Sequence, residues 1–398
     1  MRKLLSVLLA VVMMFSLFVT VLAAEGENNV LKFNENGKFT IVHLTDVQDT
    51  YPMNATTKEF INEVLAEQKP DLVILGGDNT VGPAETKADA IKELCDIFVN
   101  NETCFTLVFG NHDHQQGVDK ETLLGYYQQF GGKYCLAYDA APELFGVGTH
   151  NLPVMSSDGS KVAYNLYMMD SNTYYPEEGN DIGYDAVHED EIEWYKETSA
   201  ALKEANGGVT VPAMMFQHII VQEIYDKLFI ESAFSIGKGT QTFEDTDGTE
   251  HYYTYLPKVA NLESGYLFEQ PCPGYKNYGQ LDALVETGDV KAIFSGHDHT
   301  NDFTVKINGI DVVNSGGCTY HSYGKDINRG CRFIVLDEND LSSYETYTYT
   351  IAQQALKEGS TLSELGDITK AGATFTQIGE VLLSLIVKLC KVLFFFIK

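Results

Sequence analysis

Three consecutive segments of this chain repeat one plan, in which an apolar strand ends on polar residues and a helix follows. The strands are predicted within residues 40–46, 71–79 and 105–113, and the helices near residues 56–68, 85–99 and 121–130. Each strand is apolar along its whole length, which is typical of a sheet that is buried on both faces. The sequence therefore predicts an α/β fold built from βα units.

Polar side chains stand at the ends of these three strands, namely Asp46, Asp78, Asn111 and His112. In sheets of this kind, ligands bind beyond the carboxyl ends of the strands. Taken singly, each residue has an ordinary structural explanation, because Asp46 and Asp78 are good helix caps and Asn111 is a good turn former. Their occurrence together at equivalent strand ends indicates a binding site.

Three histidines further along the chain occupy the same kind of position. His218 follows a strand predicted at 209–216, and His297 and His299 follow the apolar run 290–294, where Gly296 permits a sharp turn. A single histidine at a strand end is more often a core residue than a ligand, and a His-x-His pair alone is a weak signal. Their shared position with the carboxylates predicts that they face the same point.

The candidate ligands are carboxylates, an amide and imidazoles, with no thiolate among them. This set suits Mn, Fe or Zn rather than softer ions. One carboxylate able to bridge, with enough ligands for two centres, favours two divalent or trivalent metal ions. Two ions about 4 Å apart orient a phosphate and lower the pKa of a water, so we expect hydrolysis of a small phosphorylated substrate.

Charge and cysteine content narrow the classes of partner. The 398 residues include 27 basic and 56 acidic side chains, which give a net charge of −29. Such a surface repels nucleic acid, so no nucleic-acid-binding surface is expected.

Seven cysteines contain no Cys-x-x-Cys pair, which argues against a thiolate zinc site. Cys318 and Cys331 flank one turn region and are the favoured candidates for a disulfide.

The middle of the chain turns toward β-structure. Short strands are predicted at 133–138, 146–154 and 161–170, a helix at 189–205, a hairpin at 303–313, and β-like segments at 331–336 and 344–351. Residues 225–280 are an irregular insertion with a turn at 245–248. This insertion is either a lid over the substrate or a solvated excursion.

Both ends of the chain differ from the domain predicted at 30–352. Residues 1–24 combine a basic start, an apolar stretch and small residues before Glu25, which predicts a signal peptide and an exported, extracellular or membrane-associated protein. An uncleaved anchor is the alternative. Residues 353–375 are a predicted connector. Residues 376–398 form a predicted amphipathic helix for membrane association, or alternatively for packing on the domain or self-association.

Five motifs occur in a fixed order along the chain: Asp46-x-Gln48, Gly77-Asp78-Asn79, Gly110-Asn111-His112-Asp113, His218 and Gly296-His297-Asp298-His299. Together they resemble the calcineurin-like metallophosphoesterases over roughly residues 38–350. Residues 295–302 look most like the branch that contains the purple-acid-phosphatase-29-type and yeast dosage-regulator-type phosphatases. The resemblance implies a four-layer αββα sandwich with a dinuclear metal site at the strand ends.

The resemblance also implies a role for each matching residue. Asp78 would bridge the metals, Asp46 and His299 would complete the first site, and the second would be completed by Asn111, His218 and His297. His112, held by Asp113, would assist the leaving group while a bridging hydroxide attacks phosphorus. The expected activity is hydrolysis of phosphate esters, monoesters in particular. Phosphodiester or nucleotide hydrolysis is the alternative on the same site.

The chain departs from the family pattern at three positions. Gln48 stands where the family usually has histidine, and an amide oxygen is a weaker ligand than imidazole. Val81 stands where purple acid phosphatases have an iron-binding tyrosine, so no such centre is predicted. His218 is followed by Ile219 and Ile220 instead of a His-x-Pro pattern. Gln48 and the apolar tail leave a second alternative, a non-catalytic surface binding protein.

Overall fold

A computed structural model describes residues 29–115, 117–175, 182–235, 240–254, 256–324 and 328–357. The predicted signal peptide at 1–24, the C-terminal helix at 376–398 and most of the connector lie outside the described residues. No helix within the described ranges is long and apolar enough to cross a membrane.

The elements are numbered in chain order. The first strands are β1 Lys38–Leu44, β2 Leu72–Gly76, β3 Phe105–Val108, β4 His150–Met155, β5 Val162–Met168, β6 Tyr174–Tyr175, β7 Gly183–Tyr184 and β8 Ala213–Phe216. The later strands are β9 Ile230–Ser232, β10 Thr240–Glu244, β11 Glu250–Thr254, β12 Ser264–Tyr266, β13 Val290–Ser295, β14 Asp302–Ile307, β15 Ile310–Asn314, β16 Gly330–Asp337 and β17 Tyr344–Thr350. The helices are α1 Ala55–Gln68, α2 Ala84–Asn100, α3 Lys120–Gly131, α4 Glu189–Ala205, α5 Ile224–Leu228, α6 Gln280–Thr287 and α7 Ile351–Lys357.

Two large sheets form the centre of the fold. The five-stranded sheet has the order β17-β16-β1-β2-β3, in which β1, β2 and β3 run parallel as the βα pattern predicts. The seven-stranded sheet has the order β12-β14-β15-β13-β8-β5-β4, with β5, β8, β13 and β15 parallel. The predicted ligands follow the carboxyl ends of five of these parallel strands, namely β1, β2, β3, β8 and β13.

Three apolar clusters show how the layers stack. One cluster fills the space between the two sheets, where Ile41 and Ile74 from one sheet meet Leu166 and Phe294 from the other. A second cluster joins the outer face of the five-stranded sheet to helices α1, α2 and α3, and a third joins the other sheet to α4, α5 and α6. The order helix, sheet, sheet, helix is the predicted four-layer αββα sandwich.

Local sequence signals explain several element boundaries. The Asn54 side chain caps α1 by accepting the amide hydrogen of Thr56, and Asp119 caps α3 in the same way. The helix predicted at 189–205 is α4. The hairpin predicted at 303–313 is β14 and β15, joined at Asn308 and Gly309, which both have positive φ.

Other predictions of local structure are wrong. Residues 133–138 form no strand, because a 3₁₀ turn at 132–134 leaves only a single bridge between Cys135 and Phe105. The strand predicted at 209–216 starts at Ala213, since Pro212 has no amide hydrogen for the ladder. Cys318 and Cys331 are both buried free thiols and make no disulfide.

The insertion at 225–280 is more ordered than its sequence indicates. It holds α5, β12 and a three-stranded antiparallel sheet of order β10-β11-β9, and the predicted turn at 245–248 joins β10 to β11. At the other end of the domain, residues 353–357 belong to α7 and not to the predicted connector.

Candidate metal centre

Each predicted ligand lies on a loop that leaves the carboxyl end of a parallel strand. Asp46 and Gln48 follow β1, Asp78 follows β2, and Asn111 follows β3. From the second sheet, His218 follows β8, while His297 and His299 follow β13. Hydrogen bonds join the loops across the two sheets, since the amide of His297 donates to Asp46 Oδ2 at 3.1 Å. The structure therefore brings all seven side chains to one end of the sandwich.

The loops pack so closely that glycine is required at several positions, among them Gly110 and Gly296. A Cβ added at Gly110 would lie 2.8 Å from Asp78 Cγ, and one added at Gly296 would lie 2.6 Å from Asp46 Oδ2. Four of the predicted ligands also adopt the left-handed conformation, with φ of 51° at Asp46, 40° at Gln48, 49° at Asp78 and 71° at His297. Such conformations cost about 1 kcal/mol or more per residue and cluster at functional sites.

Two groups of buried side chains share a single carboxylate. The ligand atoms of Asp46, Asp78 and His299 all lie within 4.8 Å of one another, and so do those of Asp78, His218 and His297. The Nε2 of His299 lies 3.3 Å from Asp46 Oδ1, and that of His218 lies 3.3 Å from Asp78 Oδ2. Because Asp78 belongs to both groups, its carboxylate is able to bridge two ions.

Two amide oxygens beside these groups lack partners. Gln48 Oε1 and Asn111 Oδ1 are buried and make no hydrogen bond within the part of the chain that the structure describes. Their nitrogens are engaged, since Gln48 Nε2 donates to Asp78 Oδ2 at 3.3 Å and Asn111 Nδ2 donates to the Tyr174 hydroxyl at 3.4 Å. An unpaired buried acceptor costs about 1–3 kcal/mol. The ligand atoms of the site fit a pair of hard or borderline cations, which would coordinate these two oxygens.

The electrostatics of the site show a demand for positive charge. Burial alone would raise the pKa of Asp78, but the neighbouring His218 outweighs burial and holds that pKa well below its usual range. Burial opposes protonation of His218, yet the Asp78 and Asp46 carboxylates raise its pKa to about 10. For His297, burial dominates and lowers the pKa to about 3, so this imidazole is neutral. A neutral imidazole is the form that binds a metal.

Outer hydrogen bonds orient two of the imidazoles. His218 Nδ1 donates to the carbonyl of Gly76 at 2.9 Å, and His299 Nδ1 donates to the carbonyl of Tyr323 at 2.8 Å. The Tyr323 ring also stacks on His299 with centroids 4.1 Å apart. In both residues, Nε2 is thereby directed toward the carboxylates. Partners of this kind fix the tautomer of a metal-binding histidine.

His112 and Asp113 are arranged differently from the implied pair. Asp113 is buried and accepts the backbone amides of Gly110, Asn79 and Thr80, so it supports the loops and does not hold the imidazole. His112 Nδ1 instead donates to Gln115 Oε1 at 2.7 Å. The reason is that a short aspartate side chain readily satisfies nearby backbone amides. Burial, then the charge of Asp78, raises the pKa of Asp113 to about 6.

The insertion contacts the histidine loop directly. Asn301 Oδ1 accepts the amide hydrogens of residues 268 and 269 at 2.8 and 3.0 Å, and Asp298 Oδ1 accepts that of Cys272 at 3.2 Å. Both side chains belong to the loop that carries His297 and His299. The 268–272 segment is therefore a brace for the ligand loop, which neither of the two predicted roles for the insertion describes.

Sequence reasoning missed three aromatic or amide residues at the site. Gln115 binds His112, Tyr184 packs edge-on against His297 with centroids 4.3 Å apart, and Tyr174 binds Asn111. The spacing of Gln115, three residues after His112, is a signal for a local contact. No sequence signal marks the tyrosines, because they reach the site through a separate hairpin of β6 and β7.

The fold and the two ligand groups define an α/β sandwich protein with a candidate dinuclear metal centre. Residues 39–301 match the family model described as calcineurin-like phosphoesterase. The chain belongs to the calcineurin-like phosphoesterase family, in agreement with the resemblance of its motifs.

Relatives of the chain carry different functional names. A protein of Arabidopsis thaliana named "Probable inactive purple acid phosphatase 14" is 27% identical over 327 residues, 74% of either chain. "Phosphatase DCR2" of Saccharomyces cerevisiae is 25% identical over 308 residues, which are 69% of this chain and 46% of that one. A solved dimetal phosphatase from Danio rerio is 12% identical, with a TM-score of 0.46 over 78% of this chain and 99% of the other.

Proposed function

We propose that this chain is a metal-dependent phosphoesterase that hydrolyses phosphate monoesters. The observation that carries the proposal is the pair of buried ligand groups that share Asp78, with His112 at their edge. The preference for monoesters is supported by the yeast relative that is named a phosphatase, Phosphatase DCR2. Export of the protein, which the first 24 residues predict, is a separate proposal that does not depend on this activity.

In this proposal, each ligand group would hold one ion. Asp46, Asp78 and His299 would hold the first, and Asp78, His218 and His297 would hold the second with help from the unpaired Asn111 oxygen. The ligands suit Mn, Fe or Zn. When bound, such ions supply positive charge to the phosphate oxygens and activate a water.

His112 is the residue best placed to exchange a proton with the substrate. Its side chain is 36% exposed, while the Nε2 atom lies 4.0 Å from the buried Asp78 Oδ2. Gln115 holds the Nδ1 hydrogen, so Nε2 is the atom that faces the site. We assign to the protonated imidazole of His112 the donation of its Nε2 proton to the oxygen of the leaving alcohol, which leaves a neutral ring whose hydrogen stays on Nδ1.

The direct test measures metal content and hydrolysis on the same protein. We expect two metal ions per chain after loading with Mn²⁺, and faster hydrolysis of 4-nitrophenyl phosphate than of bis(4-nitrophenyl) phosphate. Faster cleavage of the diester would replace the monoester assignment by a diesterase. A folded protein that binds well under one ion per chain and cleaves neither compound would instead favour a non-catalytic binding protein.

A substitution at Gln48 tests the metal site through an expected rise in metal affinity. In Gln48→His, an imidazole nitrogen replaces an amide beside the first ligand group, and histidine tolerates the left-handed φ of 40° found here. We expect metal affinity at this site to rise by about tenfold or more, the scale of other changes to metal-ligand shells. Equilibrium dialysis against Mn²⁺ measures the two affinities. Gln48→Leu is the control, and an unchanged affinity in Gln48→His would mean that Gln48 only orients Asp78.

A further inference from the structure

The hydroxyl of Tyr174 lies at the edge of the metal centre and receives two amide donors. Gln115 Nε2 donates to it at 2.9 Å and Asn111 Nδ2 at 3.4 Å. The other end of each amide faces the site, because Gln115 Oε1 accepts from His112 and Asn111 Oδ1 is the unpaired candidate ligand. Tyr174 is thus linked to both a ligand and the proposed acid through one amide each.

The directions of these hydrogen bonds determine whether the Tyr174 hydroxyl still has a hydrogen to donate. Both amides can only donate through nitrogen, so the phenol oxygen acts as the acceptor in each contact. Its own hydrogen then has no acceptor within the described ranges. The half-buried Tyr174 hydroxyl already accepts two hydrogen bonds, so its O–H can be donated to a ligand in the site.

The ring that carries this hydroxyl is held in place. Tyr174 pairs with Tyr184 in the short β6–β7 hairpin, and the two rings stack with centroids 5.5 Å apart. Tyr184 in turn packs edge-on against His297. Tyr174 is therefore fixed relative to a metal ligand on one side and to Asn111 on the other, which is the preorganisation that a binding group requires.

We infer that Tyr174 is a substrate-binding residue whose hydroxyl donates a hydrogen bond to a phosphoryl oxygen of the bound ester. This inference rests on the proposed function and adds a specific residue to it. The chain has a net charge of −29 and the site faces two carboxylates, so neutral donors are valuable for holding an anionic phosphate beside the metals. Asn111 and Gln115 act as positioning residues, because they set the direction of the hydroxyl hydrogen.

The test uses inorganic phosphate as the probe and Tyr174→Phe as the variant. Phenylalanine keeps the ring and its stacking but removes the hydrogen-bond donor. Calorimetric titration of phosphate into Mn²⁺-loaded protein is expected to show an affinity at least about tenfold weaker than that of wild type, as for loss of one hydrogen bond to a charged group. Metal content should stay at two ions per chain. Tyr175→Phe is the matched control, since Tyr175 is the next residue of β6 and stacks on Tyr275 instead.

Three outcomes would overturn the inference. Phosphate affinity within twofold of wild type would show that the hydroxyl does not reach the ligand. Restoration of full affinity at excess Mn²⁺ would show that Tyr174 acts only by orienting Asn111. Failure of the loaded wild type to bind phosphate would leave nothing for the hydroxyl to hold. Hydrolysis by wild type is measured separately, so an inactive protein that still binds phosphate through Tyr174 would contradict the proposed function alone.

Discussion

Replacing Asp78 with asparagine is expected to abolish hydrolysis, with kcat/KM for an aryl phosphate reduced by more than about 10³-fold. Asp78 is the only residue common to both ligand groups in the part of the chain that the structure describes. The amide keeps the size of the side chain but removes the charge that both ions and His218 require. We therefore expect metal content, measured by elemental analysis, to fall from two ions per chain to fewer than one.

The control for this variant lies at the opposite end of the same strand. Asp71 precedes β2 and accepts the amide hydrogen of Thr40 at 2.7 Å, far along the strand from the ligands. In Asp71→Asn, both activity and metal content should stay within about twofold of wild type, as expected for a change away from the site. Circular dichroism of both variants verifies that the fold is retained. Two bound ions and normal turnover in Asp78→Asn would contradict the bridging assignment.

Removal of the His112 imidazole is expected to produce a loss that depends on the substrate. If Nε2 protonates the leaving oxygen, His112→Ala should slow hydrolysis of an alkyl phosphate by about 10²–10⁴-fold. The loss should be much smaller for 2,4-dinitrophenyl phosphate, whose leaving group departs without a proton. Metal content should not change, because His112 belongs to neither ligand group. Measurement of kcat/KM across a series of leaving groups gives the dependence directly.

An equal loss for every leaving group would assign His112 to phosphate binding and not to proton transfer. His251→Ala is the matched control, since His251 lies on β11 of the insertion and pairs with Glu231 at 2.8 Å. We expect this control to keep the leaving-group dependence of the wild type. Comparison of the two variants shows whether the loss of activity requires removal of His112 at the site or follows from removal of any histidine.

The seven candidate ligand positions could be predicted from the sequence because each lies just after an apolar run of strand length. Parallel strands bring their ends to one edge, so strand prediction alone places Asp46, Asp78 and Asn111 near one another. The histidines from the second sheet, His218 and His297, required the order of motifs in addition. The roles of all these residues stay predictions until metal binding is measured.

What the sequence could not predict depends on contacts between distant segments. Tyr174 reaches Asn111 across 63 positions, and the brace at 268–272 reaches the histidine loop across 26 to 33. The error over Asp113 has another cause, because its neighbour His112 and three nearby backbone amides compete for one carboxylate. The two oxygens of Asp113 accept all three amide hydrogens, at 2.8 to 3.1 Å, and make no hydrogen bond to His112 within the described residues.

The left-handed backbone at Asp46, Asp78 and His297 has an evolutionary consequence. Asparagine, aspartate and histidine are the non-glycine residues most often found in that conformation. Asparagine can therefore replace any of these three ligands while the loop keeps its path, although the charge or the imidazole is lost. A single base change in the codon of an aspartate or histidine is enough to encode asparagine. For this scaffold, the path from an active enzyme to a folded protein without catalysis is a short one.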